Sequence, residues 1–324
     1  MFNRRQLAAC LVAASLAPFT SLSFAQGDFP VRPVTIVAPF PAGSVTDSVT
    51  RSLAQALHQS LGQPVVVENR AGAQGTIGAT QVASAKPDGY TLLMGSSVMF
   101  VARSLFKTLP YDPAGSFTPV SGVGSTAMML LVPQTSPFQN VADLATAARK
   151  AAPPINMAYG SPSGQIAVSL FATITDSQPV AVSYRGIPQA ITDLIGGQVN
   201  VAVVDIGNGL AQVNAGKARA LAISAASRYP GAPAVPTLQE SFPQASGSLE
   251  TIIAVLAPAG TPAAVVAKLD SAIQTALDTP AVKAQFQTLN TTILPLSTAQ
   301  LDKRIKADNP RWESLMKKAG IEAQ

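Results

Sequence analysis

The chain has 324 residues, of which 12% are charged, and a formal net charge of +5. Its lysines and arginines form no basic run, which argues against nucleic acid as a partner. Beyond the first 25 residues no segment has the ~18 consecutive apolar residues that a bilayer span requires, so we expect no membrane insertion.

Residues 1–25 have the pattern of a secretory signal. Arg4 and Arg5 precede a short apolar stretch, and "SFA" places small residues before a cleavage point after Ala25. Two other export signals fit less well. "LAAC" at Cys10 resembles a lipoprotein box, but the apolar core follows the cysteine; "RRQL" is too short to separate the twin-arginine route from the general one.

Removal of this segment changes the chemistry that remains. It takes away Cys10, the only cysteine, so the mature chain has no disulfide, thiol nucleophile or cysteine metal site. It also takes two of the 22 basic residues and none of the 17 acidic ones, which leaves a net charge of +3. An exported chain of this size without cysteine is typical of the bacterial periplasm, so we predict a periplasmic protein.

Strand and helix patterns alternate in the first part of the mature chain. Val34–Ala38 is predicted as a strand, and residues 47–61 as an amphipathic helix that stops at Gly62. "PVVVEN", "GTIGATQVASA" and "YTLLMGSS" then predict strand, helix and strand. This order predicts an α/β fold with a parallel, doubly wound sheet, whose ligands lie beyond the carboxyl ends of the strands.

The alternation continues after residue 127. Residues 127–133 are predicted as a buried strand, and 155–164 as a strand that ends in small polar residues. The proline-rich stretch 229–243 is predicted as a connection without a helix.

The pattern predicts two lobes joined by two chain crossings, near residues 127 and 250. The expected limits are 27–127 plus 251–324 for the first lobe and 128–250 for the second.

The corner "PFPAG" joins the first strand to the helix after it. Glycine there allows the backbone to approach a ligand closely, and unpaired N–H groups at the helix start favour an anion. Asp47 cannot bind an anion itself; we expect it to accept backbone N–H groups or to fix waters. The alternative is that Thr46 and Asp47 only cap the helix, and spacing alone leaves both open.

Other small or polar residues follow the ends of further predicted strands. These residues are Ser96, Ser161, Ser163, Gly164, Tyr184, Gly186 and Asp205. Because the carboxyl ends of parallel strands meet at one edge of a sheet, they predict a polar cleft without a reactive centre.

Residues for catalysis or cofactor binding are scarce. His58 is the sole histidine and lies near the end of an amphipathic helix, where a packing or solvent-facing role outweighs catalysis, so we expect neither a Ser-His-Asp triad nor a histidine metal site. "GAQGTIGA" spaces its glycines as GxxGxxG rather than GxGxxG, and no GxxxxGK[ST] occurs, which disfavours a nucleotide. We predict no catalytic residue, no metal and no cofactor.

Many segments in a fixed order resemble one protein family. "RPVTIVAPFPAGSVTDSVTR", "LGQPVVVENRAGAQGTIGA", "VSYRGIPQAITDLIGGQVNVAVVD" and "AGKARALAISAASRYPGAPAVPTLQE" are similar to the Bug family, and the match runs from about Phe29 to the C-terminus. Bug proteins are periplasmic solute-binding receptors of tripartite tricarboxylate transporters. The resemblance implies a two-lobe type II periplasmic-binding-protein fold, with a cleft that closes on a small, usually carboxylated solute.

The resemblance also assigns binding loops. It places Phe40, Ala42, Gly43 and Asp47 in the first loop, Ser161, Ser163 and Gly164 in a "GSsG" loop, and Tyr184 and Gly186 in a "YkGg" turn. The chain departs from the family pattern at Ser44, where a second glycine is usual, at "QIAVSL", and at "VNVAVVDIGN". These departures leave the receptor assignment intact and the solute open.

The resemblance implies a monomeric receptor that delivers its solute to a membrane permease pair. Two alternatives remain open: a sensor subunit for a membrane signalling protein, and an exported lyase or hydrolase on the same scaffold. The predicted loops contain no histidine and the mature chain contains no cysteine, which argues against the enzyme.

Overall fold

A computed structural model describes residues 29–150, 152–245, 249–318 and 320–323. The predicted signal segment and its cleavage point after Ala25 lie outside the described residues. No helix in these ranges is both long enough and apolar enough to cross a membrane.

Strands and helices alternate over most of the described residues, as the periodicity predicts. The strands are β1 Val34–Ala38, β2 Val65–Asn69, β3 Thr91–Ser96, β4 Phe117–Thr126, β5 Met128–Pro133, β6 Asn156–Tyr159, β7 Val180–Ser183, β8 Val201–Asp205, β9 Ala218–Ile223, β10 Thr251–Pro258 and β11 Thr292–Ile293. The helices are α1 Val45–Leu61, α2 Thr76–Ala83, α3 Val141–Lys150, α4 Pro162–Thr175, α5 Ile187–Ile195, α6 Ile206–Asn214, α7 Leu238–Ser241, α8 Ala263–Asp278, α9 Pro280–Thr288 and α10 Thr298–Lys318. Short 3-10 segments cover Ala73–Gly75 and Ser97–Ser104.

The strands form two mixed sheets. The first has the order β11-β4-β10-β3-β1-β2, in which β1 runs parallel to β2 and β3. Strand β10 runs antiparallel to both of its neighbours, β3 and β4. The second sheet has the order β7-β6-β8-β5-β9, in which β5 is antiparallel to β8 and β9.

The prediction of a parallel sheet is therefore wrong for β5, β10 and β11. A buried antiparallel strand has the same continuous apolar run as a buried parallel one, so composition does not reveal strand direction. The proline-rich stretch 229–243 also differs from its prediction, because it contains α7. Thr237 caps that short helix together with Glu240, through reciprocal side-chain bonds to backbone N–H groups.

The chain passes from the first sheet to the second at Ala127, between β4 and β5, and returns between β9 and β10. Helix α10 then packs with both sheets. Leu301 and Ile305 join the apolar cluster of Val37 in the first sheet, whereas Trp312 and Leu315 join the cluster under the second. The last part of the predicted first lobe, 251–324, thus also contributes to the core of the second sheet.

Candidate functional site

A cavity lies between the two sheets, where strand ends and helix starts from both of them meet. It encloses about 60 Å³, several times the ~10–15 Å³ that one buried water needs by the same measure. Its size suits a small solute. The lining residues are Phe40, Ser44, Val45, Thr46, Met94, Gly95, Ser96, Thr126, Met128, Gly160, Ser161, Pro162, Ser163, Ile187, Asp205, Thr251 and Ile253.

One wall of the cavity begins at the corner after β1. Gly43 has φ of +81°, a left-handed conformation that favours glycine, and Ser44 then starts α1 as its N-cap. The Ser44 hydroxyl oxygen accepts the backbone N–H of Asp47 at 3.2 Å. The alternative left open by the sequence was that Thr46 and Asp47 only cap the helix; the structure assigns the N-cap to Ser44.

Asp47 braces this corner from behind the cavity lining. Its Oδ2 accepts the N–H of Gly43 at 3.0 Å, its Oδ1 accepts the amide of Asn69 at 2.9 Å, and Arg51 pairs with it at 3.0 Å. Asn69 also donates to the carbonyl of Phe40 at 3.1 Å. Burial by itself raises the pKa of Asp47, but the hydrogen bonds from Arg51, Asn69 and Gly43 outweigh it and lower that pKa below its usual value. The carboxylate fixes the loop in its ionised form.

The opposite wall begins at the N-terminus of α4. Ser161 caps this helix, and its hydroxyl oxygen accepts the N–H of Gly164 at 3.2 Å. Ser163, which is 5% exposed, lies in the first turn and shares a 2.9 Å hydrogen bond with Thr251 at the start of β10. This bond joins the second wall to the first sheet.

Asp205 ends β8 and lines the same cavity. It is 4% exposed and caps α6: its Oδ1 accepts the N–H of Asn208 at 2.9 Å, and its Oδ2 accepts the Asn208 amide at 2.9 Å. Burial raises the pKa of Asp205, and the bonds from Asn208 and the backbone offset only part of that rise.

The electrostatics of the cavity come from backbone groups rather than from cationic side chains. Among its described lining residues there is no lysine, arginine or histidine. Two helices of 17 and 14 residues point their N-termini into it. The first-turn N–H groups of Val45, Thr46 and Ser163 have no hydrogen-bond partner within the described chain. Such groups and the helix dipole favour an anion.

The two walls also touch each other directly. Gln74, on the first sheet's side, donates from its amide to Gln165 of α4 at 2.8 Å. Gly186, ahead of α5, approaches Pro41 so closely that a Cβ on Gly186 would lie 2.6 Å from the proline ring. Both contacts join the first sheet's side of the cavity to the second sheet's side.

The predicted site residues fall into two groups. Phe40, Ser96, Ser161, Ser163 and Asp205 come together in the lining of the cavity. The others lie outside that lining: Ala42, Gly43, Asp47, Gly164, Tyr184 and Gly186.

The second group has local roles that the structure describes. Ala42 and Gly43 are exposed at the tip of the first corner, Gly164 gives its N–H to the Ser161 cap, and Gly186 lies against Pro41. The Tyr184 hydroxyl donates to Asp193 at 2.6 Å, and this bond, with burial, raises the pKa of Tyr184 to about 12. A contact of these residues with solute stays a prediction.

The sequence prediction missed the residues at the chain crossings. Thr126 ends β4, Met128 starts β5, and Thr251 and Ile253 lie at the start of β10. A search confined to strand carboxyl ends could not find Thr251, because an antiparallel strand brings its amino end to the cleft. The signal that could have found it is the predicted crossing near residue 250.

Comparisons with known proteins agree with this geometry. Residues 49–321 match the model of the tripartite tricarboxylate transporter family receptor. The periplasmic binding protein BugD is 34% identical in sequence, with a TM-score of 0.85 over 91% of this chain and 100% of its own.

Two solved structures from Rhodopseudomonas palustris hold carboxylates. Rpa4515 with adipate is 30% identical, with a TM-score of 0.85 over 92% of this chain and 100% of its own. MatC with bound malate is 32% identical, with a TM-score of 0.82 over 89% of this chain and 99% of its own. The matched family model, the two-lobe periplasmic-binding-protein fold and the cavity between its sheets agree: this chain belongs to the receptor family of tripartite tricarboxylate transporters, whose members bind solutes.

Proposed function

We propose that this receptor captures a small carboxylated solute in the cavity between its sheets. The observation that carries the proposal is the pair of long helices whose N-termini meet there, with free N–H groups at Val45, Thr46 and Ser163. Each helix N-terminus acts as roughly half a positive charge, so two of them attract one carboxylate without any arginine. Adipate and malate in the similar structures belong to the same chemical class.

In this proposal the solute contacts Phe40, Ser44, Ser96, Ser161 and Ser163. Hydroxyl groups can donate to a carboxylate at no cost in buried charge. Gly43 and Asp47 act indirectly, since they hold the first loop in shape. Ala42, Gly164, Tyr184 and Gly186 frame the rim.

We propose that the lobes, 27–127 plus 251–324 and 128–250, close around the solute by rotation at the crossings near residues 127 and 250. The contacts Gln74–Gln165 and Gly186–Pro41, which join the two proposed lobes, support a closed state. Small-angle scattering tests the closure. The radius of gyration should fall when solute is added to stripped protein, and an unchanged radius at saturation would contradict it.

The receptor in this proposal is a periplasmic monomer, released by cleavage after Ala25, that hands its solute to a membrane permease pair. It binds without catalysis or cofactor. The described residues that line the cavity include no histidine or lysine that could serve as a base for the lining hydroxyls.

The proposal is tested by thermal unfolding of the mature protein after bound solute has been removed by unfolding and refolding. A panel of mono-, di- and tricarboxylates should contain members that raise the melting temperature, whereas the matching amides and alcohols should not. Stabilisation by neutral solutes alone would contradict a carboxylate receptor.

A further inference from the structure

We propose that Asp205 selects solutes that carry an ammonium group beside their carboxylate, so that the receptor takes α-amino carboxylates in preference to plain ones. This inference rests on the proposed function, because it concerns the other end of the same solute. It starts from a difference between the two buried carboxylates near the cavity.

Asp47 has its own cation, whereas Asp205 has none among the described residues. Asp47 pairs with Arg51 at 3.0 Å and lies behind the lining. Asp205 lines the cavity itself, and its described partners are the neutral backbone and amide groups of Asn208, with backbone N–H groups of its own helix start. Within the described chain, only neutral hydrogen-bond donors therefore stabilise the negative charge of Asp205.

The surroundings of Asp205 make an added charge costly. Met94, Met128, Ile187 and Ile253 supply apolar walls to the same cavity, which keep the local dielectric low and charge interactions strong. A plain carboxylate adds a second negative charge to this space. An ammonium group adds a positive one and donates hydrogen bonds to the Asp205 oxygens.

Different groups in the cavity lining would then bind the two charges of one solute. The starts of α1 and α4 favour the carboxylate, and Asp205 at the end of β8 favours the ammonium group. A buried ion pair of this kind strengthens the binding of a solute whose ammonium group reaches Asp205. It weakens the binding of a solute that leaves Asp205 buried and unpaired.

Solute pairs that differ only in the amino group test the inference. Calorimetric titration of stripped protein would compare L-aspartate with succinate, L-glutamate with glutarate, and L-alanine with propionate, at one pH and ionic strength. In at least one pair the amino member should bind tenfold or more tightly than its partner. Equal or tighter binding of the plain acids would overturn the inference and leave the proposed function standing, whereas no binding by any member would overturn both.

Variants show whether Asp205 is responsible. Asp205→Asn keeps an oxygen to cap α6 but removes the charge, so the amino preference should fall toward a ratio of one while plain acids bind as well as or better than before. Asp143→Asn is the matched control: Asp143 accepts the N–H of Gln139 at 3.0 Å at the start of α3, outside the cavity. The control should keep the wild-type preference. An undiminished preference for the amino member in Asp205→Asn would show that another residue sets the selectivity, and it would overturn the inference. If that variant fails to fold, the wild-type titration still decides whether the receptor prefers α-amino carboxylates.

Discussion

The chain builds nearly the same corner twice and uses only one of the two in the cavity. After β1 it has "APFPAG", and after β10 it has "APAG". The glycines at both corners are left-handed, with φ of +81° at Gly43 and +84° at Gly260, and a long helix follows each. The first corner borders the cavity. The second corner lies at the opposite end of the strands of the same sheet. Strand β10 runs antiparallel to β3, so its first residues, rather than its last ones, border the cavity.

The chemistry of the two corners differs as their positions do. Ser44 caps α1 and Asp47 braces the loop from behind. Helix α8 follows Pro262 with no side-chain cap, and Thr261 only donates to the carbonyl of Pro258 at 2.8 Å. Strand direction decides which corner borders the cavity. Ser44 and Asp47, which follow the glycine, then fix the conformation of that corner. Substitutions made in parallel at the two corners separate these contributions.

The largest expected effect on solute binding is that of Gly43→Val, with Gly260→Val as its counterpart at the second corner. A Cβ at Gly43 would meet nothing within 4 Å, and one at Gly260 would meet only Pro87 at 4.0 Å, so both variants suffer from the positive φ rather than from a clash. Each should lose about 1–2 kcal/mol of unfolding free energy. Only Gly43→Val should also weaken solute binding by more than tenfold in calorimetric titration. Equal affinities in the two variants would mean that the first corner does not shape the site.

Asp47→Ala should have the next largest effect, and the second corner offers no equivalent group. The substitution removes the acceptor of the Gly43 N–H and of the Asn69 amide, and it takes the ionic partner from Arg51, which keeps its 2.9 Å hydrogen bond to Asn69. Hydrogen bonds to a charged group contribute about 1.5–3 kcal/mol, so urea unfolding should show a loss of roughly 2 kcal/mol. Binding should weaken with it. Tighter binding would instead show that the carboxylate acts by repelling the solute.

Ser44→Ala should cost less than Asp47→Ala and more than Thr261→Ala. Loss of an N-cap side chain destabilises a helix by about 1 kcal/mol. The Ser44 hydroxyl oxygen is the N-cap acceptor of a 17-residue helix. Thr261 caps no helix and loses only one neutral turn bond, so its replacement should cost about 0.5 kcal/mol, the low end of the range for such bonds. Chemical unfolding of both variants checks the order. The reverse order would remove the structural distinction between the two corners.

The two corners also show how much of this site could be predicted from the sequence. Periodicity located β1 and the start of the cleft, because a short apolar run before proline and glycine has few other solutions. It could not give the direction of β10, whose run "TIIAVLAP" is fully buried and looks the same in either direction. Strand β4 escaped prediction altogether, since Pro119, Gly122 and Gly124 disfavour a strand by local preference. Pairing with β10 and β11 overrides that preference.

The smallest expected effect is a pair of opposite pH dependences at Asp47 and Asp205. The pKa of Asp47 is lowered, so its contribution to stability is present above the unfolded value near 3.8 and is lost as the pH falls through the folded one. The pKa of Asp205 is raised, so stability falls as the pH rises through its folded value. Against wild type, Asp47→Asn should therefore lose its stability deficit on acidification below about pH 4. Asp205→Asn should gain relative stability as the pH rises above that point. Urea unfolding between pH 3 and 7 measures both differences, and slopes of the same sign would show that the two carboxylates do not have the opposed environments described above.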